Sequence, residues 1–231
     1  MDFDAWEPVY ETIRADFGYN RTADEAARDR LATMVGDTTT AAPPADGFDG
    51  RHVAIAAPGP SLAAERDLVL AADVVLAAGT AADRLDDAGV SLDWIVTDLD
   101  GHAERVPAFT RAGPTVAIHA HGDNRDLLET TVPACELSAV VPTTQVEPVG
   151  PVRNDGGFTD GDRAAFLADY LGAADLVFVG WDFDDPGVGP TKRRKLAWAE
   201  RLLYWLERRR DERFGVLDGR RDGIETTALP L

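Results

Sequence analysis

The chain has 231 residues, 23 Lys plus Arg against 41 Asp plus Glu, a formal charge of −18 and one cysteine. This length suits one medium-sized domain that buries roughly 70–75% of its unfolded surface, and a lone Cys135 set among apolar residues reads as inert and excludes a disulfide-stapled scaffold. So negative a surface repels nucleic-acid backbones and anionic lipid, no apolar run approaches the ~18 residues of a membrane span, and the acidic start is unlike a signal peptide, which together predict a cytoplasmic protein.

The acidity comes from 29 Asp against 12 Glu, and the cations are 21 Arg against 2 Lys. That bias predicts a host with molar internal salt, where a Debye length of about 3 Å removes long-range repulsion. An anionic substrate must then be held by close contacts or by a metal.

Residues 3–35 carry two helical patterns, the second opened by Thr22-Ala23-Asp24-Glu25 at capping-box spacing, and neither carries phosphate-binding chemistry. The stretch 37–47 is aperiodic and rich in Thr, Pro and small residues, so it reads as a linker. The chain thus divides into an N-terminal helical segment and linker over 1–48 and one domain over 49–231.

From His52 onward a short apolar run, a small-residue turn and a helical stretch alternate. The runs fall at 53–57, 74–78, 94–96, 115–119, 137–141 and 176–180, and their apolar continuity suits strands buried on both faces. The fold class expected is α/β: a doubly wound, mostly parallel Rossmann-like sheet with the small helical segment before it. In such sheets ligands sit at the carboxyl ends of the strands, so chemistry is sought just after each run.

After the first run, Ala57-Pro58-Gly59-Pro60-Ser61-Leu62 forms a strand, tight loop and helix unit with Ser61 as N-cap of a helix over 62–70. Free N–H groups and a helix end there favour an anion. After the third, Asp98 and Asp100 in Thr97-Asp98-Leu99-Asp100-Gly101 fall on one side, and two like charges so close call for a hard divalent cation such as Mg²⁺. After the fourth, His119-Ala120-His121-Gly122-Asp123-Asn124 holds two of the four histidines, read as phosphate or acid–base contacts; zinc lacks a Cys or third His at ligand spacing.

Further on, Gly157-Phe158-Thr159-Asp160-Gly161-Asp162 precedes a helix running to about residue 171. Thr159 or Asp160 can cap it, while Asp162 can bind a heterocycle edge or a second metal. The only lysines, Lys192 and Lys195, open the last helix three residues apart and read as phosphate ligands. A second apolar face on that helix, Trp198, Leu202 and Trp205, is a candidate homodimer contact.

Gly59-Pro60-Ser61-Leu62, Thr97-Asp98-Leu99-Asp100-Gly101, His119-Ala120-His121-Gly122-Asp123-Asn124 and Gly157-Phe158-Thr159-Asp160-Gly161-Asp162-Arg163-Ala164 resemble, in order and spacing, the archaeal 6-hydroxymethyl-7,8-dihydropterin pyrophosphokinases, the MptE-like family. The resemblance covers most of residues 52–196. It implies transfer of diphosphate from ATP, the co-substrate, to a reduced pterin with release of AMP, in folate-type or methanopterin-type cofactor synthesis. In that reading Asp98, Asp100 and Asp123 hold Mg²⁺. Gly59, Pro60, Ser61, Asn124 and Thr159 seat phosphates, and Lys192 and Lys195 neutralise charge. His119 or His121 relays the hydroxyl proton; Asp160, Asp162 and Trp181 recognise the pterin.

The stretch from Val74 through Ala82-Asp83-Arg84-Leu85 to Asp98-Leu99-Asp100 is also similar to thiamine pyrophosphokinase. The Gly-Pro-Ser-Leu loop is similar to one in some sialyltransferases. Diphosphate transfer to thiamine, glycosyl transfer from a nucleotide sugar, and a non-catalytic nucleotide sensor are therefore the alternatives.

Overall fold

Six runs of Val, Ile, Ala and Leu form six parallel strands in the computed structural model, which describes residues 1–36, 40–41 and 47–231. They are β1 (His52–Ala56), β2 (Val74–Ala78), β3 (Trp94–Thr97), β4 (Thr115–Ala120), β5 (Val140–Thr144) and β6 (Asp175–Val179). Their order in the sheet is β5-β4-β3-β2-β1-β6. The chain walks outward from β1 to β5 and then returns to lay β6 on the other side of β1. That reversal leaves a crevice between the carboxyl ends of β1 and β6, the place where a doubly wound sheet receives ligands.

Alternate residues of each strand feed two cores. Val53, Ile55, Leu76, Trp94 and Val96 face one side, covered by α1 (Phe3–Phe17), α7 (Asp160–Tyr170) and α8 (Pro190–Arg210). Val75, Ala77, Ile95, Val116 and Ile118 face the other, covered by α2 (Arg21–Val35), α3 (Arg66–Leu70), α4 (Ala81–Asp87), α5 (Val106–Ala112) and α6 (Arg125–Thr131). Full burial of β2 and β3 explains why these strands read as continuous apolar runs. Among the described residues no helix is long and apolar enough to cross a membrane.

Several expectations need correction. The fifth strand starts three residues later than its apolar run, because Leu137–Ala139 turns as a 3-10 segment. The helix expected over 62–70 is broken: Pro60–Ala63 is 3-10 and α3 begins only at Arg66, so Ser61 caps nothing. Asn20, and not Thr22, caps α2 by accepting from the Thr22 N–H, while Glu25 pairs with Arg21. Trp198, Leu202 and Trp205 are buried within the chain, which leaves no dimer face there. The linker expected over 37–47 lies, apart from 40–41 and 47, outside the described residues.

The helical segment does not stand apart. Trp6, Val9, Tyr10 and Ile13 of α1 join one core, and Ala27, Leu31 and Val35 of α2 join the other.

Candidate active site

The carboxyl ends of β1 to β4 and β6, the start of α7 and α8, and the turn between α1 and α2 enclose a cavity of about 460 Å³. That is the size of an ordinary small-molecule site. Gly59, Asp98, Asp100, His121, Asp123, Thr159, Asp160, Trp181, Lys192 and Lys195 line it. Pro60, Ser61, His119, Asn124 and Asp162, also expected at the site, do not.

A turn, and not strand alternation, brings both Asp98 and Asp100 to the cavity. The strand ends at Thr97, and Leu99 takes a left-handed φ of 73° between them. Asp98 Oδ1 accepts from the Asp100 N–H at 3.1 Å, which leaves Oδ2 to face His121 Nε2 at 3.6 Å and Arg163 Nη1 at 3.8 Å. Burial alone would raise the Asp98 carboxyl; His121 and Arg163 outweigh it and hold the group well below the usual carboxylate range.

Arg163 is the buried cation at the centre of this arrangement. Its Nη1 donates to Asp160 Oδ1 at 3.1 Å and its Nη2 to Gln145 Oε1 at 3.4 Å. One guanidinium cannot neutralise two carboxylates. Burial first, and the Asp98 charge second, push Asp160 up to about 8 in spite of Arg163 and Lys192, so Asp160 carries a proton at neutral pH.

Asp162 is the clearest departure from the expected roles. It has no exposed surface, and its carboxylate accepts from the N–H groups of Phe158 and Thr159 and from the Thr159 hydroxyl, closing a capping box at the start of α7. It binds the chain and is buried outside the cavity, out of reach of a heterocycle. Burial keeps its carboxyl above the usual range despite these donors. Thr159 lines the cavity, but its hydroxyl is spent on Asp162.

The Gly-Pro-Ser loop likewise serves an internal anion. Ser61 donates both its N–H, at 2.9 Å, and its hydroxyl, at 2.8 Å, to Asp182 Oδ2 beyond β6, and Gly59 N–H donates to Gly180 C=O at 2.9 Å. A Cβ on Gly59 would lie 2.3 Å from both Asp182 Oδ2 and Gly180 O. Glycine is needed here so that the ends of β1 and β6 can approach.

Asn124 is a staple. It donates to the carbonyls of Asp98 and His119 and accepts from the His121 N–H, tying the turn after β3 to the turn after β4. His119 is buried behind His121 with its Nδ1 3.1 Å from Thr143 Oγ1. Burial, with the charges of Arg163 and His121, lowers its pKa well below the ordinary value, so it stays neutral. His121 is the cavity histidine; its Nδ1 accepts from the Asp123 N–H at 3.3 Å.

Lys192 and Lys195 make no ion pair or hydrogen bond among the described residues. Lys195 Nζ instead lies 5.9 Å from the centre of the Phe158 ring. Apolar walls complete the cavity. Trp181, anchored by its Nε1–H to Ile55 C=O at 2.9 Å, packs against Gly161, where a Cβ would come within 2.8 Å of the ring. Across from it Tyr19 and Phe158 belong to one aromatic cluster with Phe17.

Sequence reasoning missed the contribution of α2. Asp24 is buried and accepts from Tyr10 Oη–H at 2.7 Å, Gln145 Nε2–H at 2.8 Å and Gly122 N–H at 2.7 Å. It thereby locks the N-terminal helices to the loop carrying His121. Its only sequence signal was an acid inside a helix start, indistinguishable from a dipole-complementing residue.

The donor set suits a hard cation. Asp98 is held ionised at the cavity, Asp100 lies beside it, and no thiol is near. Mg²⁺ takes one or two carboxylates and completes its shell with phosphate oxygens and water. Among the described residues no three Asp, Glu, His or Cys side chains converge in a metal-holding group. Asp98, Asp100 and Asp123 all line the cavity without converging as a group of three.

Residues 30–187 match the family model described as 6-hydroxymethylpterin diphosphokinase MptE-like. The chain belongs to this family. MptE-like relatives named 6-hydroxymethyl-7,8-dihydropterin pyrophosphokinase align almost from end to end. The protein of Methanothermobacter thermautotrophicus is 36% identical over 92% of this chain and 98% of its own length. That of Pyrococcus furiosus is 36% identical over 90% and 95%, and that of Methanocaldococcus jannaschii 30% identical over 90% and 96%.

Proposed function

We propose that this MptE-like protein transfers the β,γ-diphosphate of ATP to the hydroxymethyl oxygen of 6-hydroxymethyl-7,8-dihydropterin and releases AMP, in the synthesis of a reduced-pterin cofactor of the folate or methanopterin type. The observation that supports it is one cavity, at the switch point of the sheet, that combines an ionised Asp98 with Asp100, two lysines without acidic partners among the described residues, and aromatic walls. The names of the relatives supply the acceptor.

In this reading the acceptor oxygen attacks Pβ while the bond from Pβ to the oxygen bridging it to Pα breaks, and the AMP oxygen takes the electron pair. Catalysis is then a matter of alignment and charge neutralisation. Asp98 and Asp100, with Asp123, would hold Mg²⁺, which when bound would supply positive charge against the triphosphate and the departing AMP oxygen. Lys192 and Lys195, unpaired among the described residues, meet phosphoryl oxygens. The hydroxyl proton passes to His121 at Nδ1, which gives up the 3.3 Å bond from the Asp123 N–H as it does so. Trp181 offers a flat face to a heterocycle, and the protonated Asp160 can donate a hydrogen bond to a ring acceptor.

The test is an acceptor panel with ATP and Mg²⁺ in concentrated KCl, read by mass spectrometry. AMP formed in equal amount with the pterin diphosphate is the expected result. AMP with thiamine instead moves the acceptor, consumption of a nucleotide sugar marks a glycosyltransferase, and ATP binding without turnover on any acceptor marks a sensor.

A further inference from the structure

The turn that carries Asp98 and Asp100 is built against local preference. Leu99, which has a Cβ and is fully buried, is held at φ 73°. Residues with a Cβ seldom adopt this conformation, and where they do the surroundings must enforce it. Behind the cavity runs a line of polar groups, buried at Thr97 and His102 and partly exposed at Asp83 and Arg105. The Leu99 N–H donates to Thr97 Oγ1 at 2.8 Å. The same hydroxyl lies 2.7 Å from Nε2 of His102, whose side chain is 1% exposed. The other ring nitrogen, Nδ1, lies 3.2 Å from Asp83 Oδ2 on α4, close enough to feel its charge but without hydrogen-bond geometry. Asp83 is in turn paired with Arg105 Nε at 3.2 Å, and the remaining Arg105 nitrogens meet Asp86 and Asp87.

The chemistry orders this line in one direction. The negative charge of Asp83 close to Nδ1 favours the tautomer with its proton on that nitrogen, which leaves Nε2 as the acceptor. The Thr97 O–H therefore points at Nε2, and its lone pairs turn towards the Leu99 N–H. Thr97, His102 and Asp83 do not line the cavity, so none of them touches substrate.

We infer that Asp83, His102 and Thr97 form a positioning relay that fixes the left-handed turn and thereby the spacing of the Asp98 and Asp100 carboxylates that take the divalent cation. The inference rests on the proposed function for the role of that cation. It assigns a purpose to His102, which nothing in the transfer chemistry uses.

The probe is Mn²⁺ alone, titrated into the intact protein and followed by electron paramagnetic resonance, with pterin affinity measured separately by fluorescence. Thr97→Val removes the hydroxyl at nearly constant shape; it should weaken Mn²⁺ binding about tenfold, the equivalent of ~1.4 kcal/mol, and leave pterin affinity within about twofold. Thr97→Ser, which restores an acceptor for the Leu99 N–H, should bring Mn²⁺ affinity back. If Thr97→Val does not fold, His102→Leu and His102→Gln make the same comparison, because a Gln side-chain oxygen can accept from the Thr97 hydroxyl and Leu cannot. Unchanged Mn²⁺ affinity in Thr97→Val or His102→Leu overturns the relay, as does an equal fall in Mn²⁺ and pterin affinity. Wild-type protein that binds no Mn²⁺ overturns it too. Relay-dependent Mn²⁺ binding without AMP formation upholds the relay and overturns diphosphate transfer instead.

Discussion

Replacing Asp160 by Asn should make the protein more stable at neutral pH and remove part of its pH dependence. Burial and the Asp98 charge raise the Asp160 carboxyl to about 8 from an ordinary 3.8. The folded state thus keeps a proton that the unfolded chain gives up near pH 4. The stabilisation from that proton is complete below pH 4 and is lost as pH rises towards 8. A shift of about four units at 1.36 kcal/mol each sets a ceiling of ~5 kcal/mol. The side chain is 17% exposed, so solvent relaxes part of this. The expected change is ~2 kcal/mol or more. Asn keeps the shape and never ionises, so the stability of Asp160→Asn minus that of wild type should climb by this amount between pH 4.5 and 8.5. The assay is denaturant unfolding at fixed KCl with EDTA present, extrapolated at each pH. His119 acts in the opposite sense, since its lowered pKa gives stability above pH 6.5 that is lost as pH falls. That contribution is common to both proteins and cancels in the difference. A difference flat within ~0.5 kcal/mol across the range, or one falling with pH, would refute the reasoning.

Three other expectations follow from the site. Asp98→Asn should lower the rate of AMP formation by about 10²–10³ and weaken its Mg²⁺ dependence, since it removes a preorganised charge, as steady-state kinetics over a range of Mg²⁺ would reveal. Asp162→Asn should cost ~2–3 kcal/mol in unfolding experiments, because a side-chain NH₂ then faces the donors of Phe158 and Thr159, while the pterin KM of the folded enzyme stays near wild type. Lys192→Met combined with Lys195→Met should leave the melting temperature unchanged and reduce kcat/KM for ATP about tenfold or more, because neither lysine is paired among the described residues.

The sheet was legible because burial on both faces wrote uninterrupted apolar runs at Val53, Val74 and Trp94, and periodicity carries that signal directly. Strand-end chemistry was legible for the same reason: once a strand is located, the residues after it must lie at the ligand edge, and Asp98, His121 and Asp160 all do. What periodicity does not carry is the allocation of each polar group's partners. Ser61 and Asp162 look alike in sequence to phosphate and substrate ligands, yet one is spent on Asp182 and the other on its own helix start. Arg163 stood inside a recognised motif, but only the fold brings it between Asp98 and Asp160. The N-terminal helices were undervalued because Asp24 acts at a sequence distance of 121 residues from Gln145, beyond any local pattern.

The central claim is that one cavity at the end of β1 to β4 and β6 receives the triphosphate, the cation and the pterin together. A crystal structure with Mg²⁺, a non-hydrolysable ATP analogue and 6-hydroxymethyl-7,8-dihydropterin tests it most directly. The account predicts density for all three in this cavity, with the metal on Asp98 and Asp100 and phosphate oxygens on Lys192 or Lys195. A triphosphate bound elsewhere, or a metal that avoids both carboxylates, would contradict it.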